Sequence, residues 1–263
     1  MENALTRSGL GRGLTLDGAP LEVIATELVA AAEESGVALI RGLDLSRDAF
    51  KSTARAAGSL AEHRFGSGSS ELLDLAADPD PEKVVTGRAM LPLHADGALV
   101  GTRPGIILLY ANEYEEQPGF GRTVICDQFS ALADLPPQFR STVLGADWEY
   151  WVEDTSHFPT IAHQWVKVPP IVEEDKRKAL NVALPFPEET PRPGWRVRLC
   201  GRSEEESRSV LASFSDFLEG DHYSYRHEWS KGDLLAINNR GVLHGREGVS
   251  EGGKRHLYRA QLQ

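Results

Sequence analysis

Two residues of the stretch LPLHADG, His94 and Asp96, have the types and spacing of a metal-binding pair. On a β-strand, residues i and i+2 point to the same face, so this imidazole and this carboxylate would converge on one point. A chain with 8 histidines and 39 acidic residues contains such a pair readily by chance. The pair therefore indicates a metal site only if further ligands join it.

A third candidate ligand, His244, follows a polar turn in the stretch GDLLAINNRGVLHGR. Two imidazoles and one carboxylate on one face of an octahedral ion leave three positions open, which suits a non-haem Fe(II) oxygenase that binds a chelating cosubstrate together with O2. A closed structural zinc site needs four protein ligands, usually with thiolates. Neither of the two cysteines, Cys126 and Cys200, has suitable spacing, and we expect both to be reduced.

The C-terminal stretch KRHLYRAQL places Arg255 and Arg259 on one face of a predicted strand. Two guanidinium groups directed into an apolar barrel are costly unless each meets an anion. The first interpretation is therefore a pair of anion-binding residues. The alternative is that both arginines pair with acidic side chains at the surface, where the chain has a surplus of acids.

These candidate residues must be positioned by the elements around them, and the sequence predicts mainly β structure with flanking helices. Helices are expected at residues 20–35, 46–57, 130–144 and 203–218, the last opening with a capping box. Short apolar runs predict the strands: KVVTG, GIILLYAN, RTVICD, DWEYWV, QWVKVP, NVALPF, YSYRHEW, GDLLAIN and RHLYRAQL. The pattern favours a double-stranded β-helix, a cupin-like jelly roll, in one domain over residues 1–263. Residues 1–80 would form a mixed helical part and residues 81–263 the jelly-roll core.

Composition restricts the partners of this chain. The formal net charge of −11 argues against nucleic acid and anionic membranes as partners. No apolar stretch is long enough to span a bilayer, and the first residues lack the apolar segment of a secretory signal, so we expect a cytoplasmic protein. The sequence does not determine the oligomeric state, and a homo-oligomer is possible.

With these residues in place, the chain resembles the Fe(II)/2-oxoglutarate-dependent oxygenases of the taurine dioxygenase and clavaminate synthase type, and within them the carbapenem synthase branch. The resemblance covers residues 35 to 261. It rests on the stretches VVTGRAMLPLHADGALV, GRTVICD, WVKVP, GDLLAINNRGVLHGRE and RHLYRAQ. It implies Fe(II) as cofactor, with 2-oxoglutarate and O2 as cosubstrates.

The resemblance also implies roles for single residues. It makes His94, Asp96 and His244 the iron ligands. Thr123 and Arg255 fall where the family binds the distal carboxylate of 2-oxoglutarate, which a planar guanidinium can hold through two hydrogen bonds.

Three further residues would contact the small molecules. Arg246 is placed to reach the iron-side carboxylate of 2-oxoglutarate, Arg259 to hold an anionic group of the substrate, and His63 to touch the substrate. An ordinary loop histidine is the alternative for His63. Carbapenem synthase has a tyrosine pair where this chain has His157 and Phe158, which leaves epimerisation without its hydrogen donor. Asp96 fills the position that a halogenase keeps small, so halogenation is not expected.

The function predicted from the sequence is oxidation of a C–H bond in a small carboxylate-bearing natural-product intermediate, with a carbapenem or related β-lactam as the leading substrate. Desaturation, hydroxylation and epimerisation are the outcomes considered. The alternatives are an amino-acid hydroxylase or desaturase of another biosynthetic pathway and, more distantly, a non-oxidative cupin-type metal isomerase.

Overall fold

The computed structural model describes residues 9–16, 18–62, 71–80, 84–152, 161, 163–174 and 176–263. The helices of this part of the chain are α1 Leu21–Ser35, α2 Arg47–Ala57, α3 Gln128–Ala133, α4 Pro137–Thr142 and α5 Glu204–Glu219. The strands are β1 Arg12–Gly13, β2 Val37–Ile40, β3 Leu73–Leu75, β4 Leu91–His94, β5 Ile106–Glu115, β6 Thr123–Cys126, β7 Trp148–Val152, β8 Trp165–Val168, β9 Ile171–Glu174, β10 Arg177–Leu180, β11 Trp195–Leu199, β12 Ser224–His227, β13 Leu234–Asn238, β14 Leu243–Arg246 and β15 Lys254–Leu262.

Two larger sheets form the jelly roll. The six-stranded sheet has the order β1-β2-β13-β5-β15-β3, and the four-stranded sheet has the order β12-β6-β14-β4. Smaller sheets add β11-β7-β8 and β10-β9. Long-range antiparallel pairing of this kind, for example of β13 and β15 with β5, confirms the predicted mainly β, cupin-like class.

Strand β5 shows why the two sheets and the helices stack as layers. Its alternate residues Ile107 and Leu109 join a core cluster with Ile125 of β6. Leu108 and Tyr110 belong to a second cluster with residues of α1 and α2. Since successive side chains of a strand point to opposite faces, one buried strand joins both layers.

The predicted helix boundaries agree with the capping groups. Helix α1 ends at Gly36, whose φ of 83° suits glycine. The side chain of Ser46 accepts a hydrogen bond from the backbone of Ala49 at the start of α2. Helix α5 opens with the predicted capping box, in which the side chain of Ser203 accepts from the backbone N–H of Glu206 and the side chain of Glu206 accepts from that of Ser203.

Three predictions of secondary structure were wrong. The helix expected at residues 130–144, with Pro136-Pro137 opening its second half, is divided at that pair into α3 and α4, because a proline cannot continue a helix. Residues 84–86 of the predicted KVVTG strand form a turn. In NVALPF only Ala183 pairs, through an isolated bridge to His94, and Pro185 supplies no N–H for further pairing. The charged hairpin of β9 and β10, and strand β11, were not predicted.

In the described part of the chain, no helix combines the length and the apolar character needed to cross a membrane. Cys126 is buried, Cys200 is half-buried, and both are free thiols, as the sequence predicted.

Candidate active site

The two predicted histidine ligands lie opposite each other on neighbouring strands. His244 of β14 is the pairing partner of His94, the last residue of β4. Their ring centroids are 4.4 Å apart. Two positions far apart in the sequence thus come together through the register of one antiparallel pair.

Asp96 reaches the same point by a different route from the one expected. Strand β4 ends at His94, and Asp96 lies in the turn that follows, so strand alternation does not bring the two side chains together. The turn depends on Gly97, whose φ is 83°. A Cβ atom there would lie 2.0 Å from the carbonyl oxygen of Thr102. The glycine of LPLHADG therefore allows the backbone to turn and direct Asp96 back towards His94.

A ligand atom from each of His94, Asp96 and His244 lies within 4.8 Å of the other two. The Nδ1 atom of His94 lies 2.8 Å from the carbonyl oxygen of Pro92, so it donates there and leaves Nε2 with a free lone pair. Nε2 of His94 and Nε2 of His244 are 3.3 and 3.7 Å from Oδ1 of Asp96.

The protonation states also suit a metal. Burial lowers the pKa of His244 to about 3, which keeps its imidazole neutral. Burial raises the pKa of the Asp96 carboxyl, but the interactions that oppose it, led by that with the facing Arg259 guanidinium, hold that pKa well below the usual range. An ionised carboxylate and a neutral imidazole are the forms that bind a divalent cation, and the donor set of His94, Asp96 and His244 fits Fe(II).

Gly245 allows the two ligand strands to approach closely. A Cβ atom at this position would lie 2.7 Å from the carbonyl oxygen of Leu91 on β4. The pairing of β14 with β4 shifts register between His244 and Arg246, on either side of this glycine. A larger residue would push the two strands, and with them the two histidines, apart.

A cavity extends from the histidines between the two main sheets. Its lining residues are Leu75, Val85, Leu91, His94, Ile107, Leu109, Thr123, His244, Gly245, Arg246, Arg255 and Arg259. Three guanidinium groups thus share an apolar cavity, and one of them, that of Arg259, contacts the Asp96 carboxylate. Such a cationic surplus in a low-dielectric space suits anionic ligands.

Arg255 and Thr123 have hydrogen-bonding groups to spare. Arg255 is 4% exposed, and its Nε donates to the carbonyl oxygen of Gly121. Among the described residues its two Nη atoms have no hydrogen-bond partner. Burial, helped by nearby Arg246, lowers the pKa of Arg255 to about 9. The Thr123 hydroxyl accepts from the indole N–H of Trp229 at 3.0 Å, so its own hydrogen remains free to donate.

Arg246 is engaged by the protein itself. Its guanidinium makes four hydrogen bonds to the carbonyl oxygens of Val84, Val85 and Ala89. A guanidinium has five N–H groups, so one is left for a ligand. The structure thus gives Arg246 a role in holding residues 84–89, and its contact with 2-oxoglutarate stays a prediction.

Arg259 differs again, because it contacts the carboxylate of Asp96, a predicted metal ligand. Its Nη2 donates to Oδ2 of Asp96, and Gln261 donates to the same oxygen at 2.8 Å. The Nε of Arg259 is buried and has no hydrogen-bond partner among the described residues. Arg259 therefore keeps donor capacity for the anionic group of a substrate, and that role stays a prediction.

Two site predictions lie outside the described residues: His63, and the His157-Phe158 pair. The structure adds three residues that the sequence analysis missed. Asn239 is fully buried and bonds both the N–H and the carbonyl of Asp96. Trp229 contacts Thr123, and Gln261 contacts Asp96. Only Gln261 had a signal, since it continues the alternation of Arg255 and Arg259 along β15.

A jelly roll in which two histidines and one aspartate converge beside a cavity lined by three arginines is typical of one class, the non-haem iron oxygenases that use 2-oxoglutarate. Comparison with known protein families identifies the family within this class. Residues 6–261 match the model of the taurine catabolism dioxygenase TauD, TfdA family, and the chain belongs to this family. It is a 2-oxoglutarate-dependent dioxygenase that uses Fe(II), 2-oxoglutarate and O2, and the non-oxidative isomerase is thereby excluded.

Several relatives are similar over most of their length. 3-((Z)-2-isocyanoethenyl)-1H-indole synthase of Fischerella ambigua is 25% identical over 87% of this chain and 82% of its own. Tyrosine isonitrile desaturase of Erwinia amylovora is 23% identical over 92% of this chain and 82% of its own. The structure of PvcB from Pseudomonas aeruginosa aligns with a TM-score of 0.73 at 20% identity, over 99% of this chain and 90% of PvcB. The expected particular similarity to carbapenem synthase is not shown. The names of these relatives refer instead to the synthesis or desaturation of isonitriles.

Proposed function

We propose that this enzyme desaturates a small, carboxylate-bearing natural-product intermediate derived from an amino acid, with an aromatic isonitrile acid as the leading substrate class. The similarity to a tyrosine isonitrile desaturase and to an isocyanoethenyl-indole synthase supports this class. The balanced reaction consumes O2 and 2-oxoglutarate, removes two hydrogen atoms from adjacent carbons of the substrate, and yields succinate, CO2 and water.

The single observation that carries the oxygenase part of the proposal is the pair of unpartnered Nη atoms of buried Arg255. A buried guanidinium with only one internal hydrogen bond, to Gly121, is costly, and a carboxylate is the group that its two remaining planar donors fit. With the free hydroxyl hydrogen of Thr123 beside the same cavity, this set would hold the distal carboxylate of 2-oxoglutarate. His94, Asp96 and His244 would hold the iron.

When bound, the iron centre supplies the oxidising power that removes hydrogen from an unactivated C–H bond. The residues of the chain bind and orient the reactants. Arg259, with its spare donors, would hold the substrate carboxylate near Asp96. The apolar lining, which includes Leu75, Ile107 and Leu109, would exclude water from the reacting atoms.

Aromatic side chains next to the metal ligands support an aromatic substrate. The Trp195 ring lies 6.2 Å from the His94 ring, centroid to centroid. The half-buried ring of Phe186 lies 4.7 Å from that of Trp195. Trp195 itself is buried, at 5% exposure, so an aromatic ring of the substrate would pack against the accessible part of Phe186, in an offset or edge-to-face arrangement. Free amino acids and bicyclic β-lactam acids, the other substrate classes considered, serve as comparison arms of the test.

The test measures succinate release and product mass with Fe(II), 2-oxoglutarate and O2. We expect the tyrosine- and tryptophan-derived isonitrile acids to stimulate succinate release, with a product lighter by two hydrogen atoms, and His94→Ala to abolish both. The parent amino acids and a carbapenam carboxylate should give less succinate. A product that gains one oxygen atom instead would make the enzyme a hydroxylase. Absence of stimulation by both isonitrile acids would overturn the substrate class.

A further inference from the structure

The two oxygens of the Asp96 carboxylate have different surroundings. Oδ1 lies 3.3 Å from Nε2 of His94 and 3.7 Å from Nε2 of His244. Oδ2 points to β15, where it accepts hydrogen bonds from Nε2 of Gln261 at 2.8 Å and from Nη2 of Arg259. One oxygen thus belongs to the metal-binding group and the other to the six-stranded sheet.

The backbone of Asp96 is fixed as well. Its N–H donates to the side-chain oxygen of Asn239 at 2.9 Å, and its carbonyl accepts from the side-chain nitrogen of Asn239 at 3.1 Å. Asn239 also donates to the carbonyl of Pro104 at 2.9 Å, which ties it to the loop before β5. With the backbone held in this way, the hydrogen bonds on Oδ2 decide how the carboxylate is rotated.

We propose that Gln261, together with Arg259, is a positioning residue that limits Asp96 to one metal-binding oxygen. A carboxylate can bind a metal through one or both oxygens. Two N–H donors on Oδ2 occupy its lone pairs and leave Oδ1 for the metal. Binding through one oxygen keeps three positions of an octahedral ion open, as the chelating cosubstrate and O2 require. Binding through both would remove one of them.

Gln261 is the better of the two residues for a test. It is half-buried and neutral, and the hydrogen bond of its side chain goes to Asp96. Its replacement therefore changes neither the charge of the cavity nor the predicted contact of Arg259 with substrate. Gln263, two residues further along the chain, is exposed and offers the same substitution away from the site.

The experiment compares Gln261→Met with Gln263→Met, using Mn(II) as the probe. Methionine resembles glutamine in length but has no N–H donor. Free Mn(II), measured by electron paramagnetic resonance, gives the dissociation constant, and the line shape of bound Mn(II) reports its coordination. We expect Gln261→Met to weaken Mn(II) binding by about 10- to 100-fold, the usual effect of losing an outer-shell partner, and to change the line shape. Gln263→Met should match the wild type.

Mn(II) binding requires neither substrate nor O2, so the result is independent of the proposed desaturation. An unchanged dissociation constant and line shape in Gln261→Met would contradict the proposal. A structure of the wild-type protein loaded with Mn(II) provides a second measurement that does not depend on the variant folding. If both oxygens of Asp96 contact the metal there, the positioning role of Gln261 is wrong.

Discussion

Two of the three buried arginines of the cavity, Arg246 and Arg255, come from different main sheets and differ in how many hydrogen-bond partners the protein gives them. Arg246, on the four-stranded sheet, donates four hydrogen bonds to backbone carbonyls of residues 84–89. Arg255, on the six-stranded sheet, donates one, to Gly121. They are 6% and 4% exposed, so burial does not distinguish them. The number of internal hydrogen bonds does distinguish them: four fix the guanidinium of Arg246 to the protein, whereas the single one of Arg255 leaves its Nη atoms available to an anion.

The largest effect that follows from this difference is on cosubstrate binding. Arg255→Met should weaken binding of 2-oxoglutarate to the Mn(II)-loaded protein by about 100- to 1,000-fold, or about 3 to 4 kcal/mol, because two charge-assisted hydrogen bonds are lost. Mn(II) affinity itself should stay within a few-fold. Isothermal titration of 2-oxoglutarate into the metal-loaded protein measures the first quantity, and titration of Mn(II) into the metal-free protein measures the second.

The matched control is Lys254→Met, which removes a cation from the preceding position of β15. Lys254 is exposed and pairs with Glu113 and Glu115 instead of lining the cavity. It should leave 2-oxoglutarate binding unchanged. Equal weakening by both variants would mean that overall charge, and not the unpartnered Nη atoms of Arg255, governs cosubstrate binding.

The sequence predicted the site residues on strands better than the contacts that loops make with them. The inward face of β15 follows from a local pattern, because strand alternation depends only on neighbours along the chain. His94 and His244 were predicted from their residue types and from the family resemblance. The hydrogen bonds of Arg246 with the carbonyls of residues 84–89 could not be predicted from a local pattern, because the two segments come into contact only in the folded protein. The wrong prediction of a strand at KVVTG has the same cause. The apolar residues of this run do not indicate that the carbonyls of Val84 and Val85 accept hydrogen bonds from the distant Arg246. Asp96 lies in a turn that depends on contact of Gly97 with Thr102.

The second effect of the difference is on stability. Arg246→Met should lower the free energy of unfolding of the metal-free protein by about 2 to 3 kcal/mol, since the carbonyls of Val84, Val85 and Ala89 lose their donors. Arg255→Met should have little effect or be stabilising, because it removes a buried charge that lacks full compensation. Urea unfolding of the two variants measures both values. Equal destabilisation would show that the internal partners of Arg246 contribute nothing beyond packing.

The smallest effect is on the pH dependence of stability. It concerns His244, which lines the same cavity as these arginines and is neutral because of its burial. Its pKa of about 3 in the folded protein lies below the ordinary value of 6.5. The unfolded chain therefore binds a proton at a pH where the folded one does not, and stability that is complete above pH 6.5 falls as the pH drops towards 3. Between pH 7 and pH 5 this group should cost the metal-free protein about 1 to 2 kcal/mol. Urea midpoints at both pH values, compared with those of His244→Gln, isolate its part from that of other titrating groups, including buried His227. If the variant shows the same pH dependence as the wild type, His244 is charged in the folded protein, and the cavity tolerates a further cation beside its arginines.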